Sequence, residues 1–404
     1  MTIKLLSTKK SLIMKPSIGV PSRGDKFYRR DKLIQKIYRR LDTGGHLFMS
    51  APRRVGKTSI MHHLEENPRE DYEFIYLIVE SVDNSEDYFR VLLKELLQSN
   101  AIGKLAKSID KVNSLIDGIS SRIGSIGIMG NKIELNSPKA NYQAEFEGFL
   151  QQIETKEKTI VLMVDEFPQA VENIKQEKGK EEAKRFLQTN RSIRQSFTNN
   201  IRFIYTGSIG LPNVVKGITS LSVINDLNTV EIPPLNTEDA KELMSLLLEE
   251  AKVETNPKIL DLLIAKIEWL IPFHLQLFAQ ELIDVCEDSE QYTISEKEAD
   301  KAFEQILHRR NNQYFEPYRD RLEKSLESNQ YQFAVDLLNT ISKEGNFLIE
   351  DIEGLAKKHQ LENYKSVLEA LEFDGYINST KASMYFHFTS LVLKMWWKKN
   401  VANF

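Results

Sequence analysis

Cysteine is nearly missing from this sequence: Cys286 is the only one in 404 residues. A single thiol excludes an internal disulfide and any cluster of thiolate ligands. Its neighbours Leu282, Ile283 and Val285 give it the setting of a core thiol. Long apolar runs are also lacking, and none approaches the ~18 residues of a membrane span. The amino terminus carries Lys4, Lys9, Lys10 and Lys15 around short apolar pieces, without the apolar stretch and small-residue cleavage site of a secretory leader. The expectation is a cytoplasmic protein with no membrane partner. No charge of one sign dominates either. Lys and Arg total 54 against 58 Asp and Glu, a net charge of −4. This excludes the global basic surplus of a nucleic-acid binder and leaves only a local basic face open. Internal repeats and low-complexity segments are absent. What remains is globular in composition, and its length suits two or three domains.

What is present begins with Leu47 to Leu64, LFMSAPRRVGKTSIMHHL. An apolar run ends in a short loop, the loop closes on Gly56-Lys57-Thr58, and Ile60, Met61 and Leu64 follow at helical spacing. Strand, loop, Gly-Lys-Thr, helix is the layout of a phosphate-binding P-loop, and it implies a nucleoside triphosphate with Mg²⁺. Ala51 stands where the pattern has its first glycine. Alanine fits only if the backbone there stays in an ordinary region.

The rest of the chain follows an alternating rhythm. Residues 1–25 read as a lead-in broken by Pro16, Pro21 and Gly24. Asp31 to Leu41 reads as an amphipathic helix. Phe74–Val79 and Thr159–Val164 are apolar runs suited to strands buried on both faces, and Ile201–Thr206 and about Thr229–Ile232 read as further strands. Helices are expected over Asp87–Leu97, Asn141–Ile153 and a polar stretch from Glu181 to Phe197. Residues 119–136 read as an inserted hairpin with Gly130-Asn131 at its turn. Strands alternating with helices predict an α/β parallel sheet over 26–235. After Pro234 the pattern turns helical: Thr237–Glu249, Pro257–Lys266, Phe273–Val285 and Glu296–Ile306 predict a small helical lid domain over 236–315. Residues 309–330 read as a charged linker or exposed helix. Residues 316–404 hold three short helices and a hairpin (Tyr376-Ile377, then Tyr385 to Phe388), the pattern of a winged helix-turn-helix, closed by an apolar helix from Leu391 to Trp397.

Several residues carry chemistry in this reading. The amides from Arg54 through Val55 and Gly56 to Thr58 would line the phosphate cradle, aided by the helix dipole. Pro52, Arg53 and Ser59 flank them and complete the binding set. Lys57 should reach the β- and γ-phosphates and Thr58 should ligate Mg²⁺. Arg53 and Arg54 are either solvated or one of them senses the γ-phosphate or a neighbouring subunit. Asp165-Glu166 ends an apolar strand; Asp165 can hold the Mg²⁺ shell and Glu166 can act as general base on water. Ser208, at the next strand tip, is the candidate for the γ-phosphate or the water. Among Arg185, Arg191 and Arg194 in the preceding helix, Arg194 is the candidate arginine finger.

Together these segments resemble the archaeal-type ATPases, P-loop NTPases close to the STAND and initiator-like AAA+ groups. Phe27-Tyr28-Arg29-Arg30-Asp31-Lys32 resembles their entry motif, Ala51 to Thr58 their P-loop, Val164-Asp165-Glu166-Phe167 their second motif and Thr206-Gly207-Ser208 their sensor. Ile271-Pro272-Phe273-His274 is similar to their Gly-x-Pro segment, with Leu270 in place of the glycine. The resemblance implies an ATP cofactor. It places the Ser208 strand between the P-loop strand and the Asp165 strand. It sets Phe27, Tyr28, Arg30, Pro272 and His274 on the nucleotide side, with Phe27, Tyr28 and Pro272 around the adenine.

The function expected is an ATP-binding and hydrolysing switch that repositions its winged helix against a partner protein; a homo-oligomer is compatible with it. The alternative is a DNA-binding ATPase of initiator or transposition-regulator type. A third reading is a protein-binding adaptor with a vestigial nucleotide site. The helix from Asn363 to Phe373 carries Lys365, Glu369 and Glu372, flanked by Glu362 and Asp374. An acidic face opposes a phosphate field, which favours a protein contact over DNA. Lys381, Lys394, Lys398 and Lys399 keep DNA open.

Overall fold

The computed structural model describes residues 14–99, 118–119, 126–129, 132–135, 140–152, 158–197, 200–379 and 384–402. They fall into two compact units. The first comprises Arg30–Pro52 and Lys57–Ile232; the second gathers the residues up to Arg29, Arg53–Gly56 and Pro233–Phe404.

The first unit opens with α1 (Asp31–Asp42), which forms because Leu33, Ile34, Ile37 and Leu41 recur at helical spacing and bury one face. Gly44, at φ 83°, turns the chain out of it. Then come β1 (His46–Ser50), α2 (Lys57–Glu66), β2 (Tyr72–Ile78) and α3 (Ser85–Gln98). The Asn84 side chain caps α3 by accepting from the Asp87 amide at 2.8 Å. Strands β3 (Ile126–Met129) and β4 (Lys132–Leu135) pair antiparallel as the expected hairpin. Its turn, Gly130-Asn131, lies outside the described residues. The unit continues with α4 (Tyr142–Gln152), β5 (Thr159–Asp165), α5 (Phe167–Lys178), α6 (Lys180–Ser196), β6 (Ile201–Thr206), α7 (Leu211–Lys216) and β7 (Leu227–Glu231).

Five strands form one parallel sheet in the order β2-β5-β6-β1-β7. Strand β6, which leads to Ser208, therefore runs between β1 and β5, the position that the family resemblance gives it. Every residue of β6 is buried, as a strand covered on both faces requires. Tyr88, Phe89, Phe146, Phe167 and Phe186 form an aromatic core beside the sheet. The expected polar helix over Glu181–Phe197 is α6, and α5 before it is a helix that the sequence reading did not anticipate. Phe167, Ala170, Val171 and Ile174 bury the face of α5, and Gly179 at φ 88° separates it from α6.

The second unit contains α8 (Thr237–Glu250), α9 (Pro257–Ile267), α10 (Pro272–Ser289) and α11 (Glu296–Ile306). Residues 309–330 are not a linker. A 3₁₀ turn leads into α12 (Glu316–Ser325), and Asn311, Phe315, Tyr318 and Leu322 are buried. Next are α13 (Ser328–Glu344), β8 (Phe347–Leu348), α14 (Ile352–Lys358), α15 (Tyr364–Phe373), β9 (Ile377–Asn378), β10 (Tyr385–Phe388) and α16 (Leu391–Asn400). Strand β10 pairs antiparallel with both β8 and β9. Lys381 lies outside the described residues.

The helical part and the C-terminal part of this unit share contacts. A Cβ on Gly375, which has φ 78°, would lie 2.5 Å from the Trp269 ring. The Tyr376 hydroxyl donates to the Tyr318 carbonyl, and Trp396 Nε1 donates to Asn312 Oδ1 at 3.1 Å. Cys286 is buried, as its neighbours predict. Among the described residues, no helix is long and apolar enough to cross a membrane.

Candidate functional site

The first unit brings five of the sequence candidates to the ends of three adjacent elements. Lys57 and Thr58 open α2, Asp165 and Glu166 end β5, and Ser208 follows β6.

Lys57 is buried, and its Nζ donates to the carbonyls of Ala51 at 2.8 Å and Pro52 at 2.7 Å. A buried ammonium needs acceptors, and here the loop's own carbonyls provide them. Ala51 keeps a negative φ, so its Cβ costs nothing. The left-handed positions fall instead on Arg54 (φ 66°) and Gly56 (φ 98°).

Asp165 is 4% exposed and has three donors. Thr58 Oγ1 donates to its Oδ2 at 3.0 Å and Tyr76 OH donates to the same oxygen at 3.1 Å. The Glu166 amide donates to Oδ1 at 3.1 Å. Burial pushes the Asp165 carboxyl up and the adjacent Glu166 charge adds to that, while the Thr58 and Tyr76 donors pull it down.

Glu166 adopts φ 60°, a left-handed conformation uncommon outside glycine. It caps α5, whose second residue is Pro168. Its Oε2 accepts from both the Ser208 amide and the Ser208 hydroxyl, each at 2.9 Å. Gly207 makes this pairing possible, because a Cβ there would sit 2.6 Å from Pro168 Cδ.

Oxygen ligands, one hydroxyl and one carboxylate 3.0 Å apart beside a lysine, suit a hard cation such as Mg²⁺. Mg²⁺ takes one or two protein carboxylates and fills its shell with phosphate and water. Thr58 and Asp165 fit that pattern. Among the described residues, no group of three or more His, Cys, Asp or Glu could hold a metal by protein ligands alone.

Arg194 corrects the sequence reading. It is 1% exposed, and its guanidinium donates to both Asp226 oxygens, at 2.7 and 2.9 Å, and to the Val223 carbonyl. A finger must project to a neighbour's nucleotide, and this side chain is committed inside its own unit. His274 is corrected on the same ground. It is 2% exposed, with Nδ1 3.3 Å from the Trp269 carbonyl, and burial drives its pKa down to about 3. It is a neutral core histidine.

The remaining candidates lie in the second unit, apart from Arg30, Pro52 and Ser59 in the first. Phe27 is buried, and Tyr28 OH donates to Glu242 at 2.8 Å. Pro272 is the first residue of α10. The Arg54 guanidinium lies 4.2 Å from the Phe273 ring centre and donates to the Tyr314 carbonyl. The Arg54 side chain is thus engaged by a ring face and a carbonyl of its own unit.

Sequence reading missed Tyr76, His62 and Glu65. Tyr76 sits in an apolar strand, and a lone hydroxyl there gives no signal without the neighbouring strand. His62 and Glu65 follow Thr58 on α2 at i+4 and i+7, which was a visible one-face spacing.

A parallel sheet with a Gly-Lys-Thr loop after one strand and an Asp-Glu pair after another defines the P-loop NTPase class. Within that class, the chain belongs to the family of ATPase domains found predominantly in Archaea, whose model matches residues 27–261. No match was found among curated proteins. Among solved structures it is similar to the Walker-type ATPase PABY2304 of Pyrococcus abyssi, at 17% identity and TM-score 0.59, covering 92% of this chain and 96% of that one. It is also similar to the ORC2 protein of Aeropyrum pernix in its ADPNP–ADP complexes, at 11% identity and TM-score 0.52, covering 89% of this chain and 88% of that one. At these identities the likeness is one of fold.

Proposed function

We propose that the chain binds ATP with Mg²⁺ at the ends of β1 and β5, hydrolyses it slowly, and uses the nucleotide state as a switch. The observation that carries this is the Thr58–Asp165 contact of 3.0 Å beside the buried Lys57. Lys57 exchanges two loop carbonyls for phosphate oxygens. The amides of Arg54 to Thr58 surround the phosphates, with Pro52, Arg53 and Ser59 flanking them. Thr58 and Asp165 would hold Mg²⁺, which neutralises charge on the β- and γ-phosphates when bound. Glu166 orients the attacking water and takes its proton. Ser208 donates to Glu166 or to the γ-phosphate. The family resemblance assigns Phe27, Tyr28, Arg30 and Pro272 to the base side. ATP-state binding by the similar Aeropyrum pernix protein, solved with ADPNP and ADP, supports the choice of nucleotide.

The segment from α13 to α16 we read as a winged helix that contacts a protein. Glu362, Glu369 and Glu372 are exposed on or beside α15 with Lys365 as the one exposed cation among them, and Asp374 is paired with Arg321 at 3.2 Å. Such a face repels phosphates. A mobility-shift titration with duplex DNA checks this: no salt-sensitive shift at micromolar protein is the expected result, and a shift would favour the DNA reading.

Two substitutions test the site. Lys57→Ala should abolish ATP retention. Glu166→Gln should retain ATP and lower turnover by about 10²–10⁴-fold, the usual share of a general base. Unchanged turnover in Glu166→Gln would remove the base role. Unchanged binding in Lys57→Ala would overturn the whole assignment.

A further inference from the structure

The sheet register puts Tyr76 where it can act on the metal-side carboxylate. Ile78 pairs with Asp165 and Tyr76 pairs with Met163 in the parallel β2–β5 ladder. Residues paired across a ladder point to one face, and so do residues two apart on a strand. Tyr76 thus shares the face of Asp165, one step back along the sheet.

Helix α2 holds it there. Thr58, His62 and Glu65 recur at i, i+4 and i+7 on one side of that helix. The His62 ring centre is 4.5 Å from the Tyr76 ring centre, tilted by 59°. Glu65 Oε1 accepts from the Tyr76 amide at 3.1 Å, and Glu65 Oε2 lies 3.7 Å from His62 Nδ1. Strand β2 is at the edge of the sheet, so its outward amides need such an acceptor. Ring and backbone of Tyr76 are both fixed by the helix that carries the phosphate lysine. The hydroxyl then meets Asp165 Oδ2 at 3.1 Å, beside the Thr58 hydroxyl at 3.0 Å.

We propose that Tyr76 is a positioning residue for the metal-bound nucleotide, setting the rotation of the Asp165 carboxylate through its hydroxyl. This rests on the nucleotide reading given above. The Glu166 amide holds Oδ1 at 3.1 Å and Thr58 holds Oδ2 from one side. The Tyr76 hydroxyl adds a second restraint on Oδ2 and narrows the turn of the carboxylate about its Cβ–Cγ bond. Outer donors of this kind commonly change metal affinity 10–100-fold while leaving the fold intact.

The test is Tyr76→Phe, which removes one oxygen and keeps the ring against His62. Mn²⁺ serves as the probe in the presence of ADP, with free Mn²⁺ read by electron paramagnetic resonance. The variant should bind Mn²⁺ about tenfold more weakly. ADP affinity in EDTA should stay within twofold, and the melting temperature without nucleotide should not move by more than a few degrees. In turnover, the Mg²⁺ concentration for half-maximal rate should rise by the same factor, with kcat at saturating Mg²⁺ little changed. In an Asp165→Asn background the Tyr76→Phe change should add nothing, because it acts only through that carboxylate. Equal Mn²⁺ affinity in the variant, or full additivity with Asp165→Asn, overturns the role of Tyr76. If the unaltered chain retains no ADP with Mn²⁺, the nucleotide reading falls first and this role with it.

Discussion

Arg194 carries a full charge at 1% exposure, and Asp226 is the reason that it can. Two parallel N–H···O bonds and the Val223 carbonyl satisfy the guanidinium, and the Tyr205 ring centre lies 5.5 Å away. Removing one partner of a buried pair strands the other, at a cost of about 3–5 kcal/mol. Arg194→Ala should therefore lower the denaturation midpoint sharply, as urea titration would show, and Arg194→Lys should rescue little because it lacks the fork. His46 is the second such residue. The Phe203 amide donates to its Nδ1 at 3.2 Å, so Nε2 carries the hydrogen and donates to the Arg194 carbonyl at 2.9 Å. Burial lowers its pKa to about 4 from 6.5. The folded chain stays neutral there while the unfolded chain gains a proton, so stability falls as pH drops from 6.5 to 4. By linkage the loss attributable to His46 reaches about 3 kcal/mol. Urea midpoints between pH 7 and pH 4.5 should show a shallower slope in His46→Gln than in the native chain; equal slopes would refute the assignment. At this scale the sequence was legible in bringing Lys57, Thr58, Asp165 and Glu166 to neighbouring element ends through their motifs. It was silent where a role depends on a partner far along the chain, as for Arg194 with Asp226 or Tyr76 with Asp165.

The turn between β6 and α7 shows the same physics in one element. Gly207 faces the rigid ring of Pro168, with Cδ and Cγ at 2.6 and 2.9 Å from where a Cβ would stand. Gly207→Ala must push the ring or the turn aside, at a cost of about 1–3 kcal/mol. The expected result is a moderate loss of thermal stability with turnover falling more than ATP affinity, because Glu166 and Ser208 lose register while Lys57 does not. Equal turnover would show that the turn has slack. Element types were largely readable from apolar period, since β1, β5 and β6 are covered on both faces and α1 on one. Helix α5 was hidden because Asp165-Glu166 ends a strand and begins a helix within two residues, leaving no loop to mark the change. The charged stretch 309–330 misled for another reason. Its buried residues, Asn311, Phe315, Tyr318 and Leu322, are sparse among exposed charges, which masks the stripe.

For the molecule as a whole, the unit ending in α16 shares one set of contacts on both sides of residue 315. Trp269 meets Gly375, Tyr376 reaches the Tyr318 carbonyl, Trp396 reaches Asn312, and Lys399 Nζ donates to the Leu307 carbonyl at 3.0 Å. Limited trypsin digestion should therefore spare Arg309, Arg310, Arg319 and Arg321 until the unit melts; early cleavage there would contradict the shared core. Gly375→Ala, which adds a carbon 2.5 Å from Trp269 at φ 78°, should make those sites cleavable sooner. Which helices would join one core was not readable, because helical period shows that a face is apolar but not what covers it. One consequence remains, and it belongs to the Ser208 hydroxyl. That hydroxyl has a single proton, and Glu166 holds it at 2.9 Å. A terminal phosphate that claims the same proton would leave the carboxylate moored by the Ser208 amide alone. The loaded and empty forms would then differ at that carboxylate by a single hydrogen bond, a tether slackened but not cut.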